Sequence, residues 1–443
     1  MRHVLAVLLA AAAPLGRELL PLAPSLARTA PEQAPEPELR VLLFEGPQVQ
    51  LSAPQGARLR DGSGRVLQQL PAATAWRLQA AATGLLFGGA SAAETAPVPI
   101  ARELWIEPAA GGAAAVLGVA ERSYRGRLRI VADGARLRVI NHVGLETYLP
   151  SVVGSEMPAS WPQQALRAQA VAARTYALRQ RKPNEVFDLK ATVASQVYKG
   201  LAAETASTRE AVAATRSLVL TYRGELINAV FHSSSGGSTA NSGEVWSSQL
   251  PYLVSVPDFD EQSPVRQWQQ PLPAEKLRQT FAGIGGVESI QVLGSSADGR
   301  IQQVRLQGPL GQVQLSGAEL RSRLGLRSTW VRFEQQPRPM VERASQAMLQ
   351  LLPGLLPLPP LGFAGDFQVG RPADAAGPTL QASTDWIAIG RGFGHGVGMS
   401  QWGAYGLAQR GEVFEQILRH FYRGVELQPH GLPPAAPVLA GLP

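Results

Sequence analysis

Three places in this sequence combine residue types that could do chemistry. The first is Glu156 in Gly154-Ser155-Glu156-Met157-Pro158, just before a helical pattern. A carboxyl group held between a strand end and a helix loses hydration, which raises its pKa toward the range of a general acid. A surface glutamate or a helix N-terminal charge would read the same way. The second is the run Gly390-Arg391-Gly392-Phe393-Gly394-His395-Gly396-Val397-Gly398-Met399-Ser400-Gln401-Trp402-Gly403. It lacks the Lys-Ser/Thr ending of a phosphate loop and the spacing of a dinucleotide fingerprint. Ordering so many glycines loses chain entropy, which suggests close backbone approach beside a polar cleft formed by His395, Gln401 and Trp402. The third is Phe231-His232-Ser233-Ser234-Ser235-Gly236-Gly237-Ser238-Thr239, a strand end entering a hydroxyl-rich turn. Without a Gly-x-Ser-x-Gly elbow, its serines and histidine give no evidence of a triad, and a carbohydrate-facing polar loop assumes less.

His232 and His395 supply two nitrogens without a third placed ligand, a weak basis for zinc. The chain contains no cysteine, so disulfides, thiolate nucleophiles and cysteine-ligated metals are excluded. Neither a metal nor a cofactor is expected.

The elements that must position these residues are legible in part. Runs such as Val41-Leu42-Leu43-Phe44 and Leu128-Arg129-Ile130-Val131, with turns at Asp61-Gly62-Ser63-Gly64 and Asp133-Gly134, predict a β-rich region over 40–140. The alanine-rich stretch over 160–181 predicts a helix, with Ser160 and Gln163 as a capping box and Pro162 in its first turn. Small residues on every side of it permit close packing, and Arg167, Arg174 and Arg181 recur near one face. A helix over 205–215 and strands over 218–222 and 226–231 follow. Strands are also expected at 290–293 and 301–306, and a Pro-rich stretch at 351–373. Helices are expected over 400–408 and 413–422, the latter with Phe414, Ile417, Leu418 and Phe421 on one face.

These elements give an α+β fold: mixed β-strands packed around the alanine-rich helix, a β-rich N-terminal portion and an inserted β-containing segment. The expected divisions are a signal peptide over 1–27, a linker over 28–39, the β-rich part over 40–140 and a core over 141–260. A second module follows over 261–385, then a completing segment over 386–425 and a tail over 426–443. Arg2 and His3 before the apolar run 4–13, with Ser25-Leu26-Ala27 as a cleavage-like site, predict export to the periplasm or cell envelope. No later run is long enough for a transmembrane segment in the mature chain. The net charge of +7, carried almost entirely by arginine, suits an anionic partner and selects none. Nucleic acid is not expected, since aromatic–basic interleaving is missing.

Taken together, the motifs resemble a known family. Asn141-His142-Val143-Gly144-Leu145-Glu146-Thr147-Tyr148-Leu149-Pro150 leads into Glu156-Met157-Pro158, then Ala168-Gln169-Ala170-Val171-Ala172-Ala173-Arg174-Thr175-Tyr176 and Ser195-Gln196-Val197-Tyr198-Lys199-Gly200. With the serine–glycine turn and the glycine loop, this order resembles the stage II sporulation protein D (SpoIID) / LytB amidase-modifier family over roughly 40–260 and 385–425. Residues 316–330 look like the family's later segment. The resemblance implies a lytic transglycosylase that cleaves between N-acetylmuramic acid and N-acetylglucosamine in peptidoglycan glycan strands lacking stem peptides. It maps the essential acid onto Glu156. It also implies substrate-binding roles for Arg174, Tyr176, Gln196, Tyr198, His232, Ser234, His395 and Gln401, with Arg174 on the lactyl carboxylate or steadying the glutamate. Some members hold zinc with cysteine and histidine near the serine–glycine turn, a site this chain cannot form in that way. The rival expectation is a non-catalytic modifier that binds wall glycan and stimulates a cell-wall amidase.

Overall fold

The computed structural model describes residues 36–89, 98–109, 111, 115–336 and 384–431. The expected signal peptide and the Pro-rich stretch at 351–373 lie outside the described residues, as does most of the linker. That linker ends sooner than expected, because a strand already begins at Glu38.

The fold is α+β, with eight α-helices among the described residues and strands in several sheets. The N-terminal part is β-rich, as its short apolar runs require. A seven-stranded sheet has the order Leu189–Lys190, Glu38–Gly46, Arg136–Gly144, Arg127–Asp133, Glu103–Pro108, Ala57–Asp61 and Val66–Leu70. A six-stranded sheet built on Gln48–Ala53 and Thr74–Ala81 accompanies it. Burial alternates along Gln48–Ala53, so one face carries Val49, Leu51 and Ala53 into the core. Both expected turns close hairpins, pairing Arg60 with Val66 and Asp133 with Arg136.

Arg136–Gly144 runs directly into α1 (Leu145–Glu156), after which α2 (Gln163–Arg179) forms the hub. In α2, Ala165, Ala168, Ala170, Ala172, Ala173 and Ala177 are all buried. Their small size lets α1, the strand Leu218–Tyr222 and three further helices close on it. These are α3 (Ala206–Ala214), α7 (Gln401–Gln409) and α8 (Phe414–Phe421), while the short α4 (Ser242–Val245) lies before the second module. The expected capping box of α2 does not form. Pro162 is itself the N-cap, leaving Ser160 two residues too early to reach the first free N–H groups. Gln163 Nε2 donates instead to the Ser207 carbonyl at 3.2 Å.

Helix α3 is capped by Thr205 and Thr208, and Leu218–Tyr222 is a strand as expected. Of the expected strand 226–231, only Glu225–Leu226 and Phe231–His232 pair; the latter lies parallel to Met399–Ser400. In α8 the four expected apolar residues are buried, each contributing about 1.5–3 kcal/mol. The chain after 425 opens with a strand, Glu426–Pro429, that pairs with Leu218–Tyr222.

Residues 267–336 build a second apolar cluster around Trp268, Leu272, Val304, Leu306 and Leu320. Helices α5 (Ala274–Thr280) and α6 (Gly317–Leu324) belong to it. Its three-stranded sheet is completed by Asp385–Arg391, which pairs with Gln267–Leu272 and Val331–Gln336. The glycine loop therefore leaves directly from the central strand of this sheet. No helix of the described residues is long and apolar enough to cross a membrane.

Candidate active site

Glu156 ends α1, so it sits in a last helical turn rather than in a turn between strand and helix. The negative end of the helix dipole there opposes a second negative charge. Its Oε1 accepts from the Val197 N–H at 2.9 Å, and Oε2 accepts from Gln401 Nε2 at 3.2 Å. Both bonds favour the carboxylate, yet loss of hydration outweighs them and raises the pKa above the ordinary glutamate value. The side chain faces a cleft of about 590 Å³ lined also by Tyr176, His232, Trp246, Arg321, Phe393, His395 and Gln401. Glu156 is the only carboxyl group among the described residues that line it.

A larger cleft of about 820 Å³, lined by Glu38, Arg125, Arg127, His142 and Glu204, shares none of these residues. Within it Arg125 pairs with Glu204 at 3.1 Å, and Arg127 and the His142 ring lie 3.3 Å and 2.9 Å from the Glu38 carboxylate. The smaller cleft is the one that Glu156 faces.

The two histidines are fixed by backbone. Val397 N–H donates to His395 Nδ1 at 3.0 Å, so the ring proton sits on Nε2 and faces the Phe231 carbonyl at 3.0 Å. Both nitrogens are occupied, and His395 presents its ring to the cleft rather than a hydrogen bond. Burial, and next the charge of Arg321, push its pKa down to about 4. His232 Nδ1 donates to the Val397 carbonyl at 3.1 Å, leaving Nε2 an acceptor without a partner. Burial holds this ring neutral as well. The expected close backbone approach is real: a Cβ on Gly394 would lie 2.6 Å from His232 Cβ, and one on Gly396 2.5 Å from the Arg300 guanidinium carbon.

Four residues expected to bind substrate do not reach the cleft. Arg174 is fully buried and grips Glu146 through Nε at 2.8 Å and Nη2 at 2.7 Å, with Leu218 and Val212 carbonyls accepting its remaining donors. It touches neither Glu156 nor solvent, because it lies on the face of α2 turned toward α1 and α3. Gln196 is buried between the Tyr148 hydroxyl at 3.1 Å and the Ala173 carbonyl at 3.2 Å. The Tyr198 hydroxyl donates to Asn141 Oδ1 at 3.1 Å, and its ring packs on Tyr148. These two side chains point inward and hold the irregular segment whose Val197 N–H donates to Glu156. Ser234 is buried, its hydroxyl donating to Asp260.

Sequence reasoning missed the partners of that turn. Asp258 accepts from Ser235 Oγ and Ser235 N, while Asp260 accepts from Ser234 Oγ and from Gly236 N at 2.7 Å. Arg266 approaches Asp260 at 3.3 Å. It also missed Trp246 and Phe393, exposed by 38% and 44% at the cleft, and Arg321 from the second module. Large exposed aromatics beside a polar cleft were the available signal.

The family model described as "Stage II sporulation protein" matches residues 133–222, which span α1, Glu156 and α2. The chain is 32% identical to stage II sporulation protein D of Bacillus subtilis over 313 residues, covering 65% of this chain and 75% of that one. An uncharacterized protein of Brachyspira hyodysenteriae is 30% identical over 308 residues, 69% of this chain and 72% of that one. The amidase enhancer of Bacillus subtilis is 32% identical over 300 residues, covering 63% of this chain and 40% of the enhancer. Identity of 30% or more over more than two thirds of the length of two of these relatives places the chain in the stage II sporulation protein D family.

Proposed function

We propose that the protein is a cell-wall enzyme of the envelope, a lytic transglycosylase that cleaves peptidoglycan glycan strands with Glu156 as its one acid and base. The observation that carries this reading is the lone, partly dehydrated carboxyl group in the cleft. Ordinary glycosidases need a carboxylate pair separated by about 5–9.5 Å, one member serving water or the anomeric carbon. A transglycosylase needs one. Protonated Glu156 gives its proton to the glycosidic oxygen as the bond from C1 breaks. The carboxylate then takes the proton of the same sugar's 6-hydroxyl as that oxygen bonds to C1. The product is a 1,6-anhydro ring, and no water is consumed.

The rest of the cleft fits a sugar chain. Trp246 and Phe393 offer exposed rings for sugar faces. Tyr176 and Gln401 line the floor. The core over 141–260 and the segment 386–425 supply most of these groups, and the second module supplies a wall.

A second reading follows from the amidase enhancer among the relatives. The same groove, holding glycan without cutting it, would serve a modifier of a cell-wall amidase. Product chemistry separates the two: mass spectrometry of digested strands should find muramic ends lighter by one water than those a hydrolase leaves. Intact strands with measurable binding would favour the modifier.

A further inference from the structure

Two buried carboxyl groups lie outside the cleft, and the proton transfer assigned to Glu156 uses neither. Asp260 is fully buried and Asp258 nearly so. Between them they take four donors of the serine–glycine turn: the hydroxyls of Ser234 and Ser235 and the N–H groups of Ser235 and Gly236. Asp258 also meets the start of α7. The Ser400 hydroxyl, which caps that helix by accepting from Gly403 N–H at 3.1 Å, favours the charged form of Asp258. A Cβ on Gly403 would lie 1.8 Å from Asp258 Oδ1, so only glycine lets the helix approach this closely.

The turn and the helix start both lead to the cleft. Ser233 accepts from Trp402 N–H at 3.0 Å, and Ser234 and Phe393 exchange both backbone bonds, at 3.1 Å and 2.7 Å. Phe393 and Gln401 then line the cleft, and Gln401 holds Glu156. We propose that Asp258 and Asp260 are positioning residues for the Glu156 site, fixing through the serine–glycine turn and the first turn of α7 where Gln401 and Phe393 stand. The role rests on the reading of Glu156 as the working acid, but not on which strand it cuts.

The charges around the pair make this clamp sensitive to protons. Arg266, partly exposed, approaches Asp260 at 3.3 Å. Arg300 acts on both carboxyl groups but is paired with Asp298 at 2.8 Å. From α8, His420 meets the Pro257 carbonyl at 2.7 Å. Arg410, whose partner is Glu261 at 3.5 Å, stacks on Phe259. His232 and His395 are held neutral by burial. Burial, and next the charge of Asp260, raise Asp258 to about 7. Opening the clamp hydrates Asp258 and returns it toward 3.8, so between these values the closed form binds more protons. Closure is therefore favoured at low pH and weakens as pH rises through that window, by up to about tenfold per unit.

The test follows amide hydrogen exchange, corrected for its intrinsic pH dependence, in the full chain carrying Glu156→Gln, where Glu156 cannot titrate. It needs no substrate, so its outcome is separate from that of the transglycosylase reading. Residues 233–237 and 392–403 should lose protection about tenfold or more between about pH 5 and about pH 7, while the strand Arg136–Gly144 keeps its own. Asp258→Asn, which retains an acceptor and removes the titration, should abolish that local pH dependence, and His420→Asn should leave it. Dependence that survives Asp258→Asn, disappears with His420→Asn, or spreads evenly to Arg136–Gly144 overturns the proposal. A second measurement ties the pair to the acid. In a protein with Glu156 intact, its carboxyl is followed by carbon-13 NMR, the signal identified by its loss in Glu156→Gln. Asp258→Ala removes the clamp, and loss of the Gln401 donor should raise the Glu156 titration. A titration unmoved or lowered in folded Asp258→Ala overturns the positioning role; if that variant does not fold, exchange in Asp258→Asn decides.

Discussion

Gln401 donates to the Glu156 carboxylate at 3.2 Å although 245 positions separate them in sequence. The bond joins the first residue of α7 to the last of α1, and with it the glycine loop to the acid. It stabilises the charged form, against the desolvation that raises the pKa. Replacing Gln401 with Met should therefore raise the Glu156 pKa further. If Glu156 must be protonated to act, the high-pH limb of the cleavage profile moves upward in this variant. A pH–rate profile of kcat/KM checks it; a limb that moves down, or stays, argues against Glu156 as the titrating acid.

Arg174 and Glu146 form a buried bidentate pair rather than a substrate contact. Removing one partner leaves an uncompensated buried charge. Arg174→Met should cost about 3–5 kcal/mol of stability in urea unfolding. Replacing both residues with apolar ones of similar volume should recover much of that loss. A substrate-binding arginine would instead raise KM with little change in the unfolding midpoint.

Asp258 is buried beside Asp260, and burial with that neighbour's charge raises its carboxyl to about 7. The unfolded carboxyl titrates near 3.8, so between these values the folded state binds more protons. Stability from this group is present at low pH and falls as pH rises through that window, by up to ~1.4 kcal/mol per pH unit. Asp258→Asn should flatten the decline. The check is the unfolding midpoint between mildly acidic and neutral pH for both proteins; an unchanged slope would assign the dependence elsewhere.

Much of the scaffold was legible because its signals are local. The helix α3, the strand Leu218–Tyr222 and the buried face of α8 each follow from a few neighbouring residues. The site was legible only as a set of motifs. Glu156, His232, His395, Gln401 and Tyr176 do line one cleft, whereas Arg174, Gln196, Tyr198 and Ser234 are buried behind it. A motif does not distinguish a side chain that meets substrate from one that holds the backbone meeting it. Gln196 shows the difficulty, since its neighbour Val197 contributes the contact through an N–H that any residue could supply. Arg321 was invisible for another reason: its place in the cleft depends on how the second module packs against the serine–glycine turn, and no local pattern encodes that.

The central claim is that Glu156 alone carries proton transfer. Purified glycan strands without stem peptides are incubated with the wild-type protein and with Glu156→Gln, and the products are identified by mass spectrometry. Anhydro-ended fragments from the wild type, with none from a folded Glu156→Gln protein that still binds strands, is the result the account predicts. Cleavage that persists in Glu156→Gln, or wild-type products with ordinary reducing ends, would contradict it.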